Sequence, residues 1–473
     1  MSKSKLSQYN LPFDNSFLKS VDVVDSSLDI KENDIVFIQT ENKKKSKEYV
    51  EESLRKKASY IITSSQMDIE IRNDQVIKVD NIDDLMREMV LVRYPSYNTK
   101  SLYGITGTNG KTTSCHFTKI LLGEQSTDFI GTTMSGEIQT ITKMPSLTTP
   151  TFLPITKYIE KNNKKENFIL EISSHALMQD RLNDLRFRIS SFTNLSQDHL
   201  DFHLSMDEYF EAKRILFNSD RTEFAIIFSS DWGSKLAKSL NIDFVTVGFN
   251  TKDFASFEVI NQKPNTTEGK LTIDGQRYNL RLPISGPGVV ENFLIAITNA
   301  YFSTESFSST LENIDKLTNP EGRYQCINDG IKNIIIDYAH TPKALETLLK
   351  FSKKYYRKVT VVFGCGGNRD TSKREVMGNS AELADAIILT SDNPRDENPE
   401  NIIEAILKGI NDKEIVSVVI NRREAIEKAI KEAEEGELVV IAGRGHEYLQ
   451  EIDGNFIELK DIDVANEVLK GKE

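Results

Sequence analysis

The last third of this 473-residue chain alternates short apolar runs with helical patterns, and this alternation constrains the fold more than any other feature. Strands that alternate with helices of 10–15 residues form parallel βαβ units. Pro342 and Pro399 suit the first turn of two of the helices. We therefore predict an α/β fold with a Rossmann-like, doubly wound C-terminal domain, with strands at 333–337, 358–363, 386–390, 415–420 and 438–442 and helices at 342–356, 373–385, 399–410 and 421–435.

The middle third also begins as α/β, with a strand at 101–105 that leads into a Gly/Thr-rich turn and a helix from about 111. Ser205 and Glu208 have capping-box spacing at the start of a predicted helix over 206–218. Asp274-Gly275 predicts a tight hairpin. Further strands are predicted at 167–172, 188–193, 224–229 and 244–249.

The first 95 residues are less patterned, with strands predicted near 34–39 and 59–63 on either side of a lysine-rich stretch. Charge runs of this kind are usually solvated, so we predict a surface loop for Lys43, Lys44, Lys45 and Lys47. The expected domains are residues 1–97, 98–320 and 321–473, which gives a central domain that contains the Gly/Thr-rich turn.

Composition excludes several classes of protein. The 59 basic and 71 acidic residues give a net charge of −12, which argues against a general nucleic-acid binder. No signal-peptide core and no run of 18 apolar residues occur, so no membrane span is expected. Cys115, Cys326 and Cys365 are too scattered for a disulfide framework and are expected to be reduced thiols. We expect a soluble cytoplasmic protein that acts as a monomer.

The segment GITGTNGKTT (104–113) lies between a predicted strand and a predicted helix, the context that a nucleotide phosphate loop requires. Gly107 and Gly110 would let the backbone approach the phosphates. Lys111 would bring a positive charge next to the β- and γ-phosphate oxygens, and Thr112 could ligate Mg²⁺. The usual loop pattern has glycine at 105, whereas here Ile105 follows Gly104. The segment predicts nucleotide binding.

Polar side chains follow four strands of the C-terminal domain, where the carboxyl ends of parallel strands form one edge that binds ligands in open α/β folds. These ends are 337–340 (DYAH), 364–370 (GCGGNRD), 391–395 (SDNPR) and 443–447 (GRGHE). Arg369 and Arg395 suit carboxylate or phosphate groups, and Glu447 suits an ammonium group. A zwitterionic amino acid would satisfy both charges.

The central domain holds a second polar cluster. Glu171 is predicted at the end of a strand, where it could meet the phosphate loop and, with Thr112 and a histidine, coordinate Mg²⁺. His199 and His203 have the spacing of a zinc pair but lack the glutamate that metalloproteases carry after the first histidine. We predict that His203 is a helix-capping or hydrogen-bonded polar residue and not a metal ligand.

These residues together resemble the Mur ligases, and within them the MurE type. The resemblance rests on motifs in family order: GTNGKTT, EISSHAL, NLSQDHLDFH, the helix with Lys213, GRYQ, DYAHTP and GRGHE. It implies an N-terminal uridine-nucleotide domain, a central ATPase domain and a C-terminal Rossmann-like domain. It also implies that ATP activates the carboxylate of UDP-MurNAc-L-Ala-D-Glu as an acyl phosphate, which an incoming amine then attacks.

The resemblance assigns roles to individual residues. Lys111, Glu171, His199 and Lys213 would be catalytic; Thr112 and Glu171 would hold one Mg²⁺, and His199 with a carbamylated Lys213 would hold a second. ATP would contact Gly107, Thr108, Asn109, Gly110, Lys111, Thr112, Thr113, Asn292, Arg323, Asp337 and His340. The UDP-sugar dipeptide would contact Ser26, Thr148, Thr149, Ser173, Gln179 and Arg181.

The choice of incoming amino acid rests on the segment Asp392, Asn393, Pro394 and Arg395, which resembles the enzymes that add meso-diaminopimelate. Arg395 and Asn393 would take the far carboxylate of this substrate, and Glu447 with the Gly443 carbonyl would take its far ammonium. Arg369 would be a further carboxylate contact. Two alternatives stay open: a relative with another acceptor, such as L-lysine or a folylpolyglutamate-type substrate, and a non-catalytic nucleotide-binding relative. The intact phosphate-loop and metal-ligand residues argue against the second.

Overall fold

The computed structural model describes residues 5–26, 29–39, 42–67, 73–132, 147–199 and 202–471. The chain forms two compact units. The first comprises Met1–Cys115, Leu122–Asp198 and His203–Val245, and the second comprises His116–Leu121, His199–Phe202 and Thr246–Glu473. Among the described residues, no helix is both long enough and apolar enough to cross a bilayer.

The first unit begins with a parallel four-stranded sheet whose strands follow one another in chain order. Its strands and helices are α1 (Asn15–Ser20), β1 (Val23–Val24), β2 (Ile35–Ile38), α2 (Lys43–Arg55), β3 (Tyr60–Ser64), β4 (Val76–Val79) and α3 (Ile82–Arg93). Short 3₁₀ turns lie at Leu6–Gln8 and Pro95–Thr99. β2 and β3 are the strands predicted from their apolar runs.

The prediction of a loop for the lysine-rich stretch is wrong, because these residues form the first turns of α2. The Asn42 side chain caps this helix by accepting a hydrogen bond from the backbone nitrogen of Lys45 at 3.2 Å. Ser46, Val50 and Ser53 point inward, and the lysines described around them are exposed. Lys and Glu are good helix formers, so a few inward-facing positions at helical spacing are enough for a helix to form here.

Parallel strands follow in the spatial order β9-β8-β5-β7-β6. In chain order the elements are β5 (Ser101–Thr106), α4 (Lys111–Leu122), β6 (Thr127–Ile130), α5 (Phe152–Lys161), β7 (Asn167–Ile172), α6 (Ser174–Met178), β8 (Phe187–Phe192), α7 (Met206–Arg214), β9 (Thr222–Phe228) and α8 (Asp231–Ser239). The predicted helix over 206–218 divides into α7 and a 3₁₀ turn at Ile215–Phe217. In the β5–β7 register Ile105 faces Glu171, which brings the ends of both strands together.

The next strands along the chain are β10 (Asp243–Gly248), β11 (Ala255–Lys263), β12 (Thr266–Ile273) and β13 (Gln276–Leu282). The hairpin predicted at Asp274-Gly275 joins β12 and β13, and both residues have positive φ angles of 47° and 72°. Helices α9 (Val289–Tyr301) and α10 (Phe307–Glu312) and a 3₁₀ turn at Ile314–Lys316 follow.

The C-terminal sheet has the order β14-β15-β19-β16-β17-β18, and only β14 is antiparallel to its neighbour. Its elements are β14 (Gln325–Asn328), β15 (Asn333–Asp337), α11 (Pro342–Ser352), β16 (Val359–Phe363), α12 (Lys373–Ala381), β17 (Ala386–Leu389), α13 (Pro399–Leu407), β18 (Val416–Val418), α14 (Arg422–Glu432), β19 (Leu438–Ala442), the hairpin β20 (Leu449–Ile452) and β21 (Asn455–Glu458), and α15 (Asp461–Leu469). Every predicted strand and helix of this region is present, although all four helices end three or four residues earlier than predicted.

Helices cover both faces of this sheet, as the doubly wound prediction requires. Leu345 and Ile403 pack on one face, and Ile426 and Val464 pack on the other. The four strands with polar ends, β15, β19, β16 and β17, are direct neighbours in the sheet. Their carboxyl ends therefore form one continuous rim.

Candidate functional site

The phosphate loop lies between β5 and α4 and is shaped by the segment that follows β8. A Cβ atom on Gly107 would lie 1.9 Å from Thr193 Oγ1, so only glycine fits there. The backbone nitrogens of Thr108 and Asn109 donate to the carbonyl and side-chain oxygens of Asn194 at 3.0 and 2.9 Å. These bonds fix the loop just before the helix begins.

The departure at Ile105 leaves this loop intact. Gly104 lies inside β5, where a Cβ atom would be 3.1 Å from the Phe187 ring, so this glycine allows close packing against β8. Gly110 has a φ of 83° and provides the left-handed turn directly before α4. The glycines that the loop itself needs are therefore Gly107 and Gly110.

Thr112 and Glu171 meet at the first turn of α4, as the sequence predicted. Thr112 Oγ1 donates to Glu171 Oε1 at 3.0 Å, and the other carboxylate oxygen accepts from the Thr132 backbone nitrogen at 3.0 Å. Both predicted ligands are buried, at 4 % and 3 % exposure. Hydroxyl and carboxylate oxygens are the ligands that Mg²⁺ prefers, so this pair fits the ion chemically.

Two lysine amines converge on the phosphate loop. Lys111 Nζ donates to the carbonyls of Gly107 and Thr108 at 3.1 and 2.8 Å, and Lys213 Nζ donates to the Gly107 carbonyl at 2.8 Å. Lys213 is 2 % exposed. Burial and the neighbouring charge of Lys111 bring the pKa of Lys213 well below its ordinary value, and Asp198 offsets this only in part.

Tyr209 completes this cluster and was missed by sequence reasoning. Its ring lies 4.5 Å from Lys213 Nζ, and its hydroxyl accepts from Thr108 Oγ1 at 3.3 Å. The one available signal was the i, i+4 spacing of Tyr209 and Lys213 on α7. His203 stacks on the same ring at 4.9 Å and hydrogen-bonds Ser174 Oγ at 2.9 Å, so it is the hydrogen-bonded residue that was predicted.

His199 and Asn292 both belong to the second unit. His199 is exposed and has a φ of 52°, and its carbonyl accepts from the Phe202 nitrogen at 3.1 Å. Asn292 is buried in the first turns of α9. Across the part of the chain that the structure describes, no three His, Cys, Asp or Glu side chains are grouped as a metal site. A metal at the phosphate loop would therefore depend on other ligand types, such as the Thr112 hydroxyl.

Four of the six residues predicted to hold the UDP-sugar dipeptide form one hydrogen-bonded group, namely Thr149, Ser173, Gln179 and Arg181. Arg181 donates to the Thr149 carbonyl at 3.1 Å and to Gln179 Oε1 at 2.9 Å, and the Ser173 nitrogen donates to Thr149 Oγ1 at 2.9 Å. Thr148 is half-buried beside this group.

Ser26 is half-buried in the N-terminal part of the first unit. Its neighbour Asp25 accepts a hydrogen bond from Thr151 Oγ1 at 3.2 Å. Close by, Lys157 Nζ donates to Asp22 Oδ2 at 3.0 Å. The segment that carries Ser26 is thus tied to the start of α5, two residues after Thr149.

Arg323, Asp337 and His340 surround Tyr338, which the sequence did not single out. The Arg323 guanidinium lies 4.2 Å from the Tyr338 ring, and His340 Nδ1 lies 2.9 Å from the Tyr338 carbonyl oxygen. Asp337 accepts from the backbone nitrogens of Tyr324 and Ala339 at 2.6 and 2.8 Å. Burial raises the pKa of Asp337 against the opposing charge of Arg323.

Close backbone packing assembles the rim of the C-terminal sheet. A Cβ atom on Gly364 would lie 2.1 Å from the Thr390 carbonyl, and one on Gly367 would lie 1.9 Å from the Pro394 carbonyl. A Cβ atom on Gly443 would lie 2.7 Å from Asp392 Oδ2. The loops after β16, β17 and β19 therefore touch one another only because glycines stand at these positions.

The rim carries both signs of charge. Asn393 Nδ2 donates to Glu447 Oε2 at 2.8 Å, and Arg395 donates to the Gly367 carbonyl at 2.6 Å. Arg395 Nε also lies 3.1 Å from Glu451 Oε2 on β20, a partner that no sequence signal indicated. Arg369 is exposed. Burial and the nearby Asp392 raise the pKa of Glu447, while its hydrogen bond from Asn393 opposes the rise.

Comparisons with known proteins agree with this arrangement. The family model described as the Mur ligase middle domain matches residues 105–300, and the one described as the Mur ligase glutamate ligase domain matches residues 322–445. The chain is 39 % identical over 382 residues to a UDP-N-acetylmuramoyl-L-alanyl-D-glutamate–2,6-diaminopimelate ligase of Aquifex aeolicus, covering 78 % of each chain. It is 34 % identical over 468 residues to the ligase of the same name from Rickettsia conorii, covering 94 % of this chain and 95 % of that one.

A solved structure of an enzyme with that name is similar over the whole chain. It superposes with a TM-score of 0.65 at 25 % identity, covering 100 % of this chain and 99 % of the other. The predicted α/β architecture is therefore confirmed by structure as well as by sequence.

Proposed function

Since the chain belongs to the Mur ligase family, we propose that it is an ATP-dependent ligase that joins meso-diaminopimelate to UDP-MurNAc-L-Ala-D-Glu. The observation that carries this proposal is the convergence of Lys111, Thr112, Glu171 and Lys213 on one phosphate loop. The product would enter peptidoglycan precursor synthesis. We also propose that a monomer suffices, with domains at residues 1–97, 98–320 and 321–473.

In the first step the γ-phosphate of ATP is transferred to the D-Glu carboxylate, which gives an acyl phosphate and ADP. Lys111 would leave the Gly107 and Thr108 carbonyls and bind the transferring phosphoryl group, whose negative charge it offsets. Backbone nitrogens at the start of α4 would bind the other phosphate oxygens. Asn292, Arg323, Asp337 and His340 would hold the rest of the nucleotide.

Thr112 and Glu171 would hold one Mg²⁺, and His199 with Lys213 a second. Bound there, the ions would neutralise charge that develops on the phosphate oxygens. Lys213 fits this role only as a carbamate, because an ammonium group repels a cation. Its burial favours the neutral amine that can react with CO₂, releasing one proton and forming an anionic oxygen ligand.

In the second step the amine of meso-diaminopimelate attacks the acyl phosphate carbonyl, and inorganic phosphate leaves as the amide forms. Arg395, Asn393 and Arg369 would bind the far carboxylate, and Glu447 with the Gly443 carbonyl would bind the far ammonium. Binding at both ends would fix the position of the reacting amine, which lowers the entropic part of the barrier. Ser26, Thr148, Thr149, Ser173, Gln179 and Arg181 would hold the UDP-sugar dipeptide.

The test is phosphate release by the purified chain with ATP, Mg²⁺ and UDP-MurNAc-L-Ala-D-Glu, run in parallel with meso-diaminopimelate and with L-lysine. Release with meso-diaminopimelate alone is expected. Release with L-lysine instead would support the ligase activity and overturn the choice of meso-diaminopimelate as the incoming amino acid. Absence of release with either would favour a non-catalytic nucleotide-binding relative.

A further inference from the structure

A fully buried ion pair lies beneath the rim of the C-terminal sheet, and the proposed function does not use it. Arg422 begins α14 and Asp461 begins α15, and both side chains are 0 % exposed. Arg422 Nε donates to Asp461 Oδ1 at 2.8 Å and its NH2 group to Asp461 Oδ2 at 2.7 Å. The contact is therefore bidentate, which is the geometrically most specific form of this ion pair.

The same guanidinium also holds the backbone that leads into the amino-acid site. Its NH2 group donates to the carbonyl oxygen of Ala442 at 3.0 Å. The next residue is Gly443, which has a φ of 108° and is proposed to offer its carbonyl to the substrate ammonium. A shift of Arg422 would thus move the backbone on which that carbonyl depends.

Charge links the pair to the same site. Burial disfavours the charged form of Arg422, yet its pKa is raised by Asp461 and, more weakly, by Asp392 and Glu447. Arg444 is also fully buried, with Nε 3.7 Å from Glu447 Oε2. Two guanidinium groups thus face three carboxylates. The excess of one negative charge would be balanced by an incoming ammonium group.

We propose that Arg422 and Asp461 are positioning residues that determine how the site recognises the far ammonium of the incoming amino acid. Arg422 fixes the Ala442–Gly443 backbone, and Asp461 holds the Arg422 guanidinium in the position from which it does so. This inference rests on the proposed function. Stability alone is a weak reason for such a pair, because apolar residues of similar volume often replace buried ion pairs without loss of stability.

The test uses the double variant Arg422→Met/Asp461→Leu, which removes both charges together and leaves no buried charge without a partner. We expect it to melt within a few degrees of the wild type and to raise the KM for meso-diaminopimelate at least tenfold. The KM values for ATP and UDP-MurNAc-L-Ala-D-Glu should stay within twofold. The matched control is Lys358→Met/Glu437→Leu, which removes an ion pair at the other end of β19.

A second substrate distinguishes positioning from a general loss of structure. L-2-Aminopimelate has the far carboxylate of meso-diaminopimelate but lacks its far ammonium. If the pair serves ammonium recognition, the double variant should lose most of the wild-type preference for meso-diaminopimelate over this analogue. Equal weakening of both substrates, or a folded variant whose KM for meso-diaminopimelate is within twofold of the wild type, would overturn the inference.

Asp461→Asn provides a second variant if the double variant does not fold, since it keeps the side-chain volume and removes one negative charge. It should raise the KM for meso-diaminopimelate at least threefold and leave that for L-2-aminopimelate unchanged, and an unchanged KM for both would again overturn the inference. Turnover by the wild type separates the two proposals. If the wild type shows no turnover, both the proposed function and this inference fail. If the wild type is active and the variants are unaffected, only this inference is refuted.

Discussion

Glu447→Gln tests the proposed ammonium contact, because it removes the charge and keeps the shape of the side chain. The new amide oxygen can still accept the hydrogen bond that Asn393 Nδ2 donates at 2.8 Å, so the loop should stay in place. What is lost is the attraction between a carboxylate and the substrate ammonium. A hydrogen bond to a charged group contributes about 1.5–3 kcal/mol.

The Glu447 side chain is 31 % exposed, which places the loss near the lower middle of that range, at about 2 kcal/mol. Since 1.4 kcal/mol corresponds to a factor of ten, the KM for meso-diaminopimelate should rise about 30-fold. The kcat should change little, because the far ammonium does not react. Initial rates of phosphate release, measured at saturating ATP and UDP-MurNAc-L-Ala-D-Glu, give both constants.

The pH dependence provides a second readout. Because the pKa of Glu447 is raised, its carboxylate is lost as pH falls through a window above that of an ordinary glutamate. The wild-type KM for meso-diaminopimelate should rise on acidification through this window, and that of Glu447→Gln should not. Glu437→Gln, the same change at the opposite end of β19, should leave the KM unaffected. A KM for Glu447→Gln within threefold of the wild type would refute the ammonium contact.

Three further predictions concern recognition, packing and ionisation. Arg395→Ala should raise the KM for meso-diaminopimelate at least tenfold, and unchanged binding would contradict the proposed carboxylate contact. Gly322→Ala should lower the melting temperature more than Gly330→Ala. Both glycines have positive φ, but only at Gly322 would a Cβ atom meet backbone, at 2.2 Å. Equal losses of melting temperature would contradict this close packing at Gly322. Burial raises the pKa of Asp22, but Lys157 and hydrogen bonds lower it overall. The ionised Asp22 therefore stabilises the folded chain above the unfolded pKa of about 3.9, and this contribution to the free energy of unfolding is lost below it. The urea midpoints of wild type and Asp22→Asn should therefore differ at pH 7 and converge as pH falls below that value, and a constant difference would exclude this ion pair as the cause.

The C-terminal sheet could be predicted because strands buried on both faces are continuous apolar runs, as in 438–442. Helix ends were less predictable, since α11 stops at Ser352 although polar and aromatic residues continue the helical pattern to 356. The lysine-rich start of α2 is predicted wrongly because its charge obscures the helical spacing of Ser46 and Val50. Charged runs and helix periodicity are independent signals, and in this segment the periodicity is the one that matches the structure.

For the candidate site, sequence order and side-chain chemistry were enough to predict that Thr112 meets Glu171 and that the polar ends of four C-terminal strands share one edge of the sheet. Contacts that depend on the folded path of the chain could not be predicted from the sequence. Tyr338 lies under Arg323, and Glu451 pairs with Arg395, yet no sequence signal links the two residues of either pair. Such residues take part because of where loops cross, which no local pattern encodes.

The dependence of the phosphate loop on Asn194 also has a consequence for how this enzyme is made. The Asn109–Asn194 hydrogen bond joins residues 85 positions apart, so the loop reaches its final shape only after β8 has been synthesised and paired with β5. Contacts of such large sequence separation are slow to form, because closing the intervening chain costs conformational entropy. A nascent chain that ends before Asn194 would therefore contain every residue of the GTNGKTT motif and still lack the contacts that hold this loop in its final shape.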